Sequence, residues 1–168
     1  MNLIEGRGCG PCVSCCSFFA IAELGKPAGL LCAHSTDHGC TIYGDRPKAC
    51  RVFYCAWRCW SEVPDDWRPD RTGFVLGGRL AAQSFLSVTA DPARPDDWRA
   101  EPYYSTLCRW AAEGARIGSP VVVFVGSRVI VLRAEGELDL GIVGPDEVLI
   151  AEGQGIIKKI PRANLSPS

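Results

Sequence analysis

The cysteines of this chain have the spacing and the side-chain chemistry of a metal site. Ten cysteines occur among 168 residues, and the first four stand in the run Cys9-Gly10-Pro11-Cys12-Val13-Ser14-Cys15-Cys16. When two residues separate a pair of cysteines, a tight turn can direct both sulfurs to one metal ion about 2.3 Å away. The next thiols along the chain are Cys32, Cys40, Cys50 and Cys55. These eight thiolates are enough for two tetrahedral tetrathiolate sites or for one bridged cluster.

Three further side chains near the run are candidate ligands. Cys59 follows Cys55 at i,i+4, so the two thiols can share a helix face, and Cys59 is a reserve ligand. His34 and His38 lie between Cys32 and Cys40. Imidazole binds zinc well, so either histidine can replace a thiolate. The alternative is that they are solvent-exposed loop residues or donate hydrogen bonds to the ligands.

Helix geometry limits which thiols can share an ion. The sequence Asp45-Arg46-Pro47 is typical of a helix start, with Asp45 as the cap. From Cys50 to Cys55 an ideal helix turns by roughly 500°, which leaves the two sulfurs about 140° apart. We therefore expect either that the helix ends between these two residues or that they bind different metal ions.

Basic residues beside the cysteines can compensate the charge of thiolates. Residues 1–60 contain six Lys or Arg and four Asp or Glu, so the region has a formal charge of +2 before any thiol ionises. Arg46, Lys48 and Arg51, together with Arg58, are predicted to donate hydrogen bonds to sulfur and to tighten metal binding. The alternative is an ordinary solvated face.

The thiol spacing favours zinc over iron. Cys9-x2-Cys12-x2-Cys15 is similar to the start of the bacterial ferredoxin run, but the fourth thiol, three residues further on and followed by proline, is missing. Cys15 and Cys16 are adjacent and point apart, so they tend to serve different sites. We therefore expect two zinc ions, with iron or an iron–sulfur cluster as the alternative.

The ordered cysteines resemble a known family, the zinc- or iron-chelating cysteine-cluster proteins of the CxxCxxCC or YkgJ type. The resemblance is carried by Cys9-x2-Cys12-x2-Cys15-Cys16, Lys26-Pro27, Cys32, Cys40-Thr41-Ile42-Tyr43, Arg46-Pro47-x2-Cys50-Arg51-x-Phe53 and Cys55, within residues 9–60. It implies metal chelation by the eight cysteines, leaves zinc and iron unresolved, and implies no substrate. Cys59, Cys108 and both histidines lie outside the family pattern.

The distribution of cysteines predicts two regions. Only Cys108 lies beyond residue 60, and the segment that follows Val63 contains two prolines and several charges. We therefore predict a cysteine-cluster metal-binding module of short helices and loops at residues 1–63. Residues 64–168 are predicted to form an α+β region whose role the sequence does not indicate.

Hydrophobic periodicity predicts the elements of the second region. Strands are expected at 72–76 and 79–88 around Gly77-Gly78, and at 121–125 and 128–132 around the hairpin turn Gly126-Ser127. Apolar residues at helical spacing predict a helix over 104–115, with Cys108 packed on its apolar stripe. Shorter strands are expected at 138–143 and 148–150. The predicted fold class is α+β, an antiparallel sheet with a helix over one face.

Composition and charge argue against several partners. The formal net charge of −1 gives no general attraction to nucleic acid. The N-terminus lacks a secretory signal, and no stretch approaches the roughly 20 apolar residues of a membrane span. We therefore expect a cytoplasmic protein without a membrane partner, and in that reducing compartment ten cysteines favour metal binding over disulfides.

Three functional classes fit these features. The first is a structural or chelating metal module, which closed tetrathiolate sites favour. The second is a metal-delivery protein with exchangeable thiolates. The third is an iron–sulfur redox protein or accessory enzyme. The sequence contains no His-Glu-x-x-His, phosphate loop, Gly-x-Ser-x-Gly or dinucleotide fingerprint, so it predicts no catalytic residue and argues against an enzyme.

Overall fold

Short elements form the N-terminal part of the chain. The computed structural model describes residues 2–53, 55–77, 85–152 and 156–164. The first elements are helix α1 (Ser14–Phe18), strands β1 (Ser35–Thr36) and β2 (Gly39–Cys40), helix α2 (Lys48–Val52) and helix α3 (Pro69–Thr72). Single 3₁₀ turns stand at Ala22–Leu24 and Ala56–Arg58. Helices this short are not stable alone, so long-range contacts must hold the region together.

Longer elements follow. They are strands β3 (Phe74–Gly77) and β4 (Leu86–Ala90), helix α4 (Tyr103–Ala115), and strands β5 (Val121–Val125), β6 (Arg128–Arg133), β7 (Gly136–Ile142), β8 (Glu147–Glu152) and β9 (Ile156–Pro161). One sheet has the order β3-β4-β5-β6-β7, and β1-β2 and β8-β9 form two-stranded sheets. Further 3₁₀ turns stand at Asp97–Arg99 and Arg162–Asn164.

The α+β class is confirmed, but the five-stranded sheet is mixed rather than antiparallel throughout. Strands β5, β6 and β7 are antiparallel neighbours. In contrast, Leu86 N donates to the Pro120 carbonyl at 2.9 Å. This bond joins the start of β4 to the start of β5, so these two strands are parallel. The connection between these strands contains α4, and parallel neighbours need a connection of this length.

Local patterns predicted the later elements well. The hairpin is confirmed, with Val125 opposite Arg128 across a two-residue turn. The helix is confirmed at Tyr103–Ala115, and the strands expected at 138–143 and 148–150 correspond to β7 and β8. Thr72 ends α3 instead of starting a strand, because Pro69 begins a helical turn there. Gly77 of the predicted turn ends β3, whereas residues 78–84, which include Gly78 and most of the strand at 79–88, lie outside the described residues.

The chain divides into two compact units, and the first contains all of the cysteines before residue 60. This unit comprises Met1–Gly78 and Thr89–Trp98, and the second comprises Arg79–Val88 and Arg99–Ser168. The boundary predicted between residues 63 and 64 therefore lies inside the first unit. The reason is that Arg7 donates to the carbonyls of Trp57, Trp60 and Val63 and to the Asp65 carboxylate, which ties both sides of that point together.

Each unit has its own apolar core. In the first unit, most of the large buried side chains come from residue 57 onward: Trp57, Val63, Trp67, Phe74 and Trp98. In the second unit, Val122, Val129, Val131 and Ile157 form a buried cluster, and Leu107 and Ala111 are the buried apolar residues of α4. Among the described residues, no helix is both long and apolar enough to cross a membrane.

Candidate metal centre

A tight turn positions the first thiols. Cys12 N donates to the Cys9 carbonyl at 2.9 Å, and Gly10 adopts a positive φ of 50° within that turn. Helix α1 then starts at Ser14, so Cys15 and Cys16 are consecutive helical residues. Consecutive helical residues are rotated by about 100° around the axis, so these two thiols point in different directions.

The next two thiols are brought to the turn by backbone contacts. Cys32 N donates to the Cys16 carbonyl at 3.1 Å, and Cys32 is buried. Cys40 ends the β1-β2 hairpin, opposite Ser35. The neighbouring Gly39 has φ +118°, and a Cβ at this position would lie 2.9 Å from the Gly10 carbonyl oxygen. Only glycine therefore allows the hairpin and the Cys9–Cys12 turn to approach this closely.

Cys50 and Cys55 lie on different elements. Cys50 is in α2, whose first turn is capped by a hydrogen bond from Ala49 N to a Glu23 carboxylate oxygen at 3.1 Å. The helix ends at Val52, and Phe53 has extended backbone, so the helix does end between these cysteines. Cys55 pairs instead with Gly77 in an isolated antiparallel bridge. Pro47, rather than Asp45, is the residue at the N-cap of α2.

Two cavities contain the thiols. The larger has a volume of about 410 Å³, and its lining includes His34, His38 and the seven thiols of Cys9, Cys12, Cys15, Cys16, Cys32, Cys40 and Cys50. The smaller has a volume of about 30 Å³, and its lining includes the four thiols of Cys9, Cys12, Cys15 and Cys55. The fold therefore assembles all eight predicted cysteines around two cavities of the first unit.

The thiols surround these cavities without converging on one point. All ten cysteines are free thiols. In the part of the chain that the structure describes, no group of three or more His, Cys, Asp or Glu side chains is gathered closely enough to hold a metal ion. The donor types nevertheless suit a soft or borderline metal, because thiolate and imidazole are the preferred ligands of zinc. Coordination requires the thiols to rotate toward the ion.

Interactions between neighbouring thiols shift their pKa values in opposite directions. A hydrogen bond from Cys15 to Cys16 raises the pKa of Cys15 and lowers the pKa of Cys16 to about 6, and the charges of Lys26 and Arg46 also lower the pKa of Cys16. Burial raises the pKa of Cys55 to about 12, with smaller increases from Cys12 and Cys9. Cys16 is therefore the thiol that ionises first in this pair.

The predicted basic residues divide into two groups. Arg46 and Arg58 line the larger cavity, and the Arg46 guanidinium stacks 3.7 Å from the centroid of the Tyr43 ring. Lys48 and Arg51 are exposed and line neither cavity, so they match the alternative of an ordinary solvated face.

The reserve ligands also differ in position. His34 and His38 line the larger cavity, and the His34 carbonyl accepts a hydrogen bond from Thr41 N at 2.9 Å. Cys59 lines neither cavity, and its thiol donates to the Cys55 carbonyl at 3.4 Å. Cys108 belongs to α4 in the second unit.

Two polar residues at the site were not predicted. Lys26 is buried, and its ammonium donates to the carbonyls of Ser17, Phe19 and Pro27 at 3.3, 2.6 and 2.8 Å. The three carbonyls satisfy the hydrogen bonds of the ammonium but do not neutralise its positive charge. A nearby thiolate can neutralise that charge. Ser35 Oγ is buried and lies near the Cys16 thiol, whose pKa it lowers as a hydrogen-bond donor. The only sequence signal was Lys26-Pro27 in the family motif.

Comparison with models of protein families, with curated proteins and with solved structures finds no match for this chain. The resemblance to the cysteine-cluster family therefore depends on the order and spacing of the cysteines. Function has to be argued from the chemistry of the site itself.

Proposed function

We propose that the first unit binds zinc through the thiolates of Cys9, Cys12, Cys15, Cys16, Cys32, Cys40, Cys50 and Cys55, and that the metal has a structural role. The observation that supports this proposal most strongly is that seven of these thiols line one cavity, together with both candidate histidines. They come from a turn, a helix, a loop, a hairpin and a second helix, so local sequence alone does not explain their meeting. Dispersed core cysteines would have no reason to collect around a cavity.

Charge at the site supports anionic ligands. Eight thiolates and two divalent ions together carry a charge of about −4. Arg46 and Arg58 line the cavity, and the buried Lys26 lies close enough for its charge to favour the thiolate form of Cys16. Fixed cations around a thiolate site stabilise the ionised ligands and so favour metal binding. Ser35 Oγ adds a buried hydroxyl that also favours the thiolate form of Cys16.

A structural role follows from the weak core of the N-terminal residues. Among described residues 2–53, the buried apolar side chains are Phe18, Ile21 and Cys32. Burial of one such side chain stabilises a fold by about 1.5–3 kcal/mol. Three of them cannot offset the conformational entropy that is lost when a region of this length becomes ordered. Structural zinc contributes roughly 10–16 kcal/mol of apparent binding free energy. Bound metal is therefore the proposed source of the missing stability.

Metal analysis of anaerobically purified full-length protein tests this proposal. We expect about two zinc ions per chain and a colourless solution, because eight thiolates fill two closed sites. Cys59→Ser and Cys108→Ser are matched controls that remove a thiol from outside the two cavities, and both should keep the wild-type zinc content. A brown preparation with stoichiometric iron and sulfide would overturn the assignment to zinc. A metal-free preparation that does not take up added zinc would overturn metal binding.

A further inference from the structure

The two cavities are lined by different sets of cysteines. Cys55 faces only the smaller cavity, whereas Cys16, Cys32, Cys40 and Cys50 face only the larger one. Cys9, Cys12 and Cys15 line both. The grouping of ligands therefore depends on which cavity the three shared thiols serve.

Counting the ligands of a tetrahedral site assigns the shared thiols. A structural zinc site takes four ligands. Cys55 can reach that number only with Cys9, Cys12 and Cys15, the other three thiols of the smaller cavity. The four thiols that face only the larger cavity then complete a second set. Neither set lacks a ligand or shares one.

The direction of the thiols agrees with this division. Cys15 and Cys16 fall into different sets, as consecutive residues of α1 that point in different directions should. Cys50 and Cys55 also fall into different sets, and α2 ends between them.

The walls of the two cavities differ in exposure. The smaller cavity has Trp57 and Val75 in its lining, which are 8% and 0% exposed. Its volume of about 30 Å³ is above the roughly 10–15 Å³ that a cavity needs to hold one water molecule, so it has room for a single ion. The larger cavity has Tyr43 and Leu24 in its lining, which are 46% and 37% exposed, together with the exposed His38. A chelator in solution can therefore approach the larger cavity more easily.

We infer that the protein has two unlike zinc sites, an inner site of Cys9, Cys12, Cys15 and Cys55 and an outer site of Cys16, Cys32, Cys40 and Cys50. This inference rests on the proposed function and adds the ligand grouping and a difference in exchange. The inner ion lies beside the buried side chains of Trp57 and Val75 and is retained. The outer ion lies beside exposed side chains and exchanges with solution, with His34 and His38 in the lining of its cavity.

Chelator kinetics on the full-length zinc protein test the difference in exposure. Zinc transfer to a chromophoric chelator should show two phases of equal amplitude, one zinc each, with rates that differ by at least about tenfold. Cys50→Ser should remove the fast phase, and Cys55→Ser should remove the slow phase. One phase with an amplitude of two zinc ions would overturn the difference in exposure.

Double variants test the grouping itself. Cys32→Ser with Cys50→Ser removes two ligands from one set, so we expect about one zinc to remain. Cys50→Ser with Cys55→Ser removes one ligand from each set, so we expect none. Cys59→Ser with Cys108→Ser is the matched control and should retain two. If every single variant of the eight loses both ions, the thiols form one bridged cluster and the grouping is wrong.

Cadmium-113 NMR of the wild-type protein provides a test that does not depend on variants that fold. Two resonances of tetrathiolate type without mutual coupling would support two separate sites. Coupled resonances would show bridging thiolates and overturn the grouping. A wild-type protein that binds neither zinc nor cadmium would instead refute the proposed function, so the two failures can be told apart.

Discussion

The N-terminal cysteine region and the β5-β6 hairpin use different means to remain folded. Residues 2–53 bury only three apolar side chains among those described, namely Phe18, Ile21 and Cys32. The hairpin spans far fewer residues and buries more: Val121, Val122, Val123, Val129, Ile130, Val131 and Leu132. The hairpin is therefore stabilised by apolar burial, which the N-terminal region largely lacks.

Polar and backbone contacts hold the N-terminal region. The buried ammonium of Lys26 joins three carbonyls, and the Arg7 guanidinium joins residues 57–65 and lies 5.6 Å from the centroid of the Trp57 ring. Such contacts contribute roughly 0.5–3 kcal/mol each and depend on geometry. The comparison leads us to expect that the cysteine-rich region, although its backbone is defined, depends on the proposed metal for its stability.

Removal of metal should have the largest effect and should separate the two regions. A strong chelator takes away roughly 10–16 kcal/mol of apparent binding free energy. In hydrogen-exchange mass spectrometry, we expect amides within residues 9–52 to lose protection while those of β5 and β6 keep theirs. Restored protection after zinc is added back is the control. If the hairpin loses protection at the same rate, the two regions unfold as one. If neither changes, the metal is not structural.

Truncation of a core side chain should break the hairpin without affecting metal. Leu132 is 2% exposed, and Leu132→Ala should lower the free energy of unfolding by about 2–5 kcal/mol because it leaves a cavity. Zinc content per chain should not change. Ile142→Ala is the control, because Ile142 is 62% exposed and its loss should change stability by less than about 0.5 kcal/mol. Equal effects of the two variants would contradict apolar burial as the source of stability here.

A methyl group at Gly39 should disturb the N-terminal region selectively. Gly39→Ala places a Cβ 2.9 Å from the Gly10 carbonyl oxygen and forces alanine into φ +118°. The strain should lower the free energy of unfolding by about 1–3 kcal/mol and weaken zinc binding in a competition assay. Gly44→Ala is the control, since a Cβ there meets no atom within 4 Å. Equal zinc affinity in the two variants would show that this close approach does not position the thiols.

An ion pair of the second unit should give the smallest effect, and one that depends on pH. Arg99 donates two hydrogen bonds to Glu137, at 3.0 and 2.8 Å, and this lowers the pKa of Glu137. A carboxylate whose folded pKa is lowered stabilises the fold above its unfolded pKa, and the contribution is lost as pH falls through the folded pKa. Glu137→Gln should therefore cost about 0.2–1 kcal/mol at pH 7 and progressively less below about pH 4.

Hydrogen exchange of β6 and β7 amides, compared between variant and wild type at each pH, measures this difference. Glu135→Gln is the control, because the Glu135 side chain is 74% exposed and lies 3.9 Å from its arginine partner. A difference between Glu137→Gln and wild type that is constant with pH would show that the ion pair does not contribute.

Local sequence determined the elements whose contacts are close along the chain. The hairpin at residues 121–133 follows from alternation and from a two-residue Gly126-Ser127 turn, and α4 follows from apolar residues at helical spacing. The cysteine candidates also came from spacing alone, because C-x2-C pairs that stand next to the turn residues Gly and Pro are typical of metal ligands. The end of α2 between Cys50 and Cys55 was one of two alternatives that helix geometry allowed.

Only the tertiary structure decided which distant residues meet. The parallel pairing of β4 and β5, the place of residues 64–78 in the first unit and the buried position of Lys26 all depend on contacts between segments far apart in the chain. The same is true of the arrangement in which Cys55 and Cys50 face different cavities. A spacing pattern identifies candidate ligands through the local backbone geometry of a few residues. How the ligands are grouped depends on which distant segments of the chain pack together, and local spacing does not determine this.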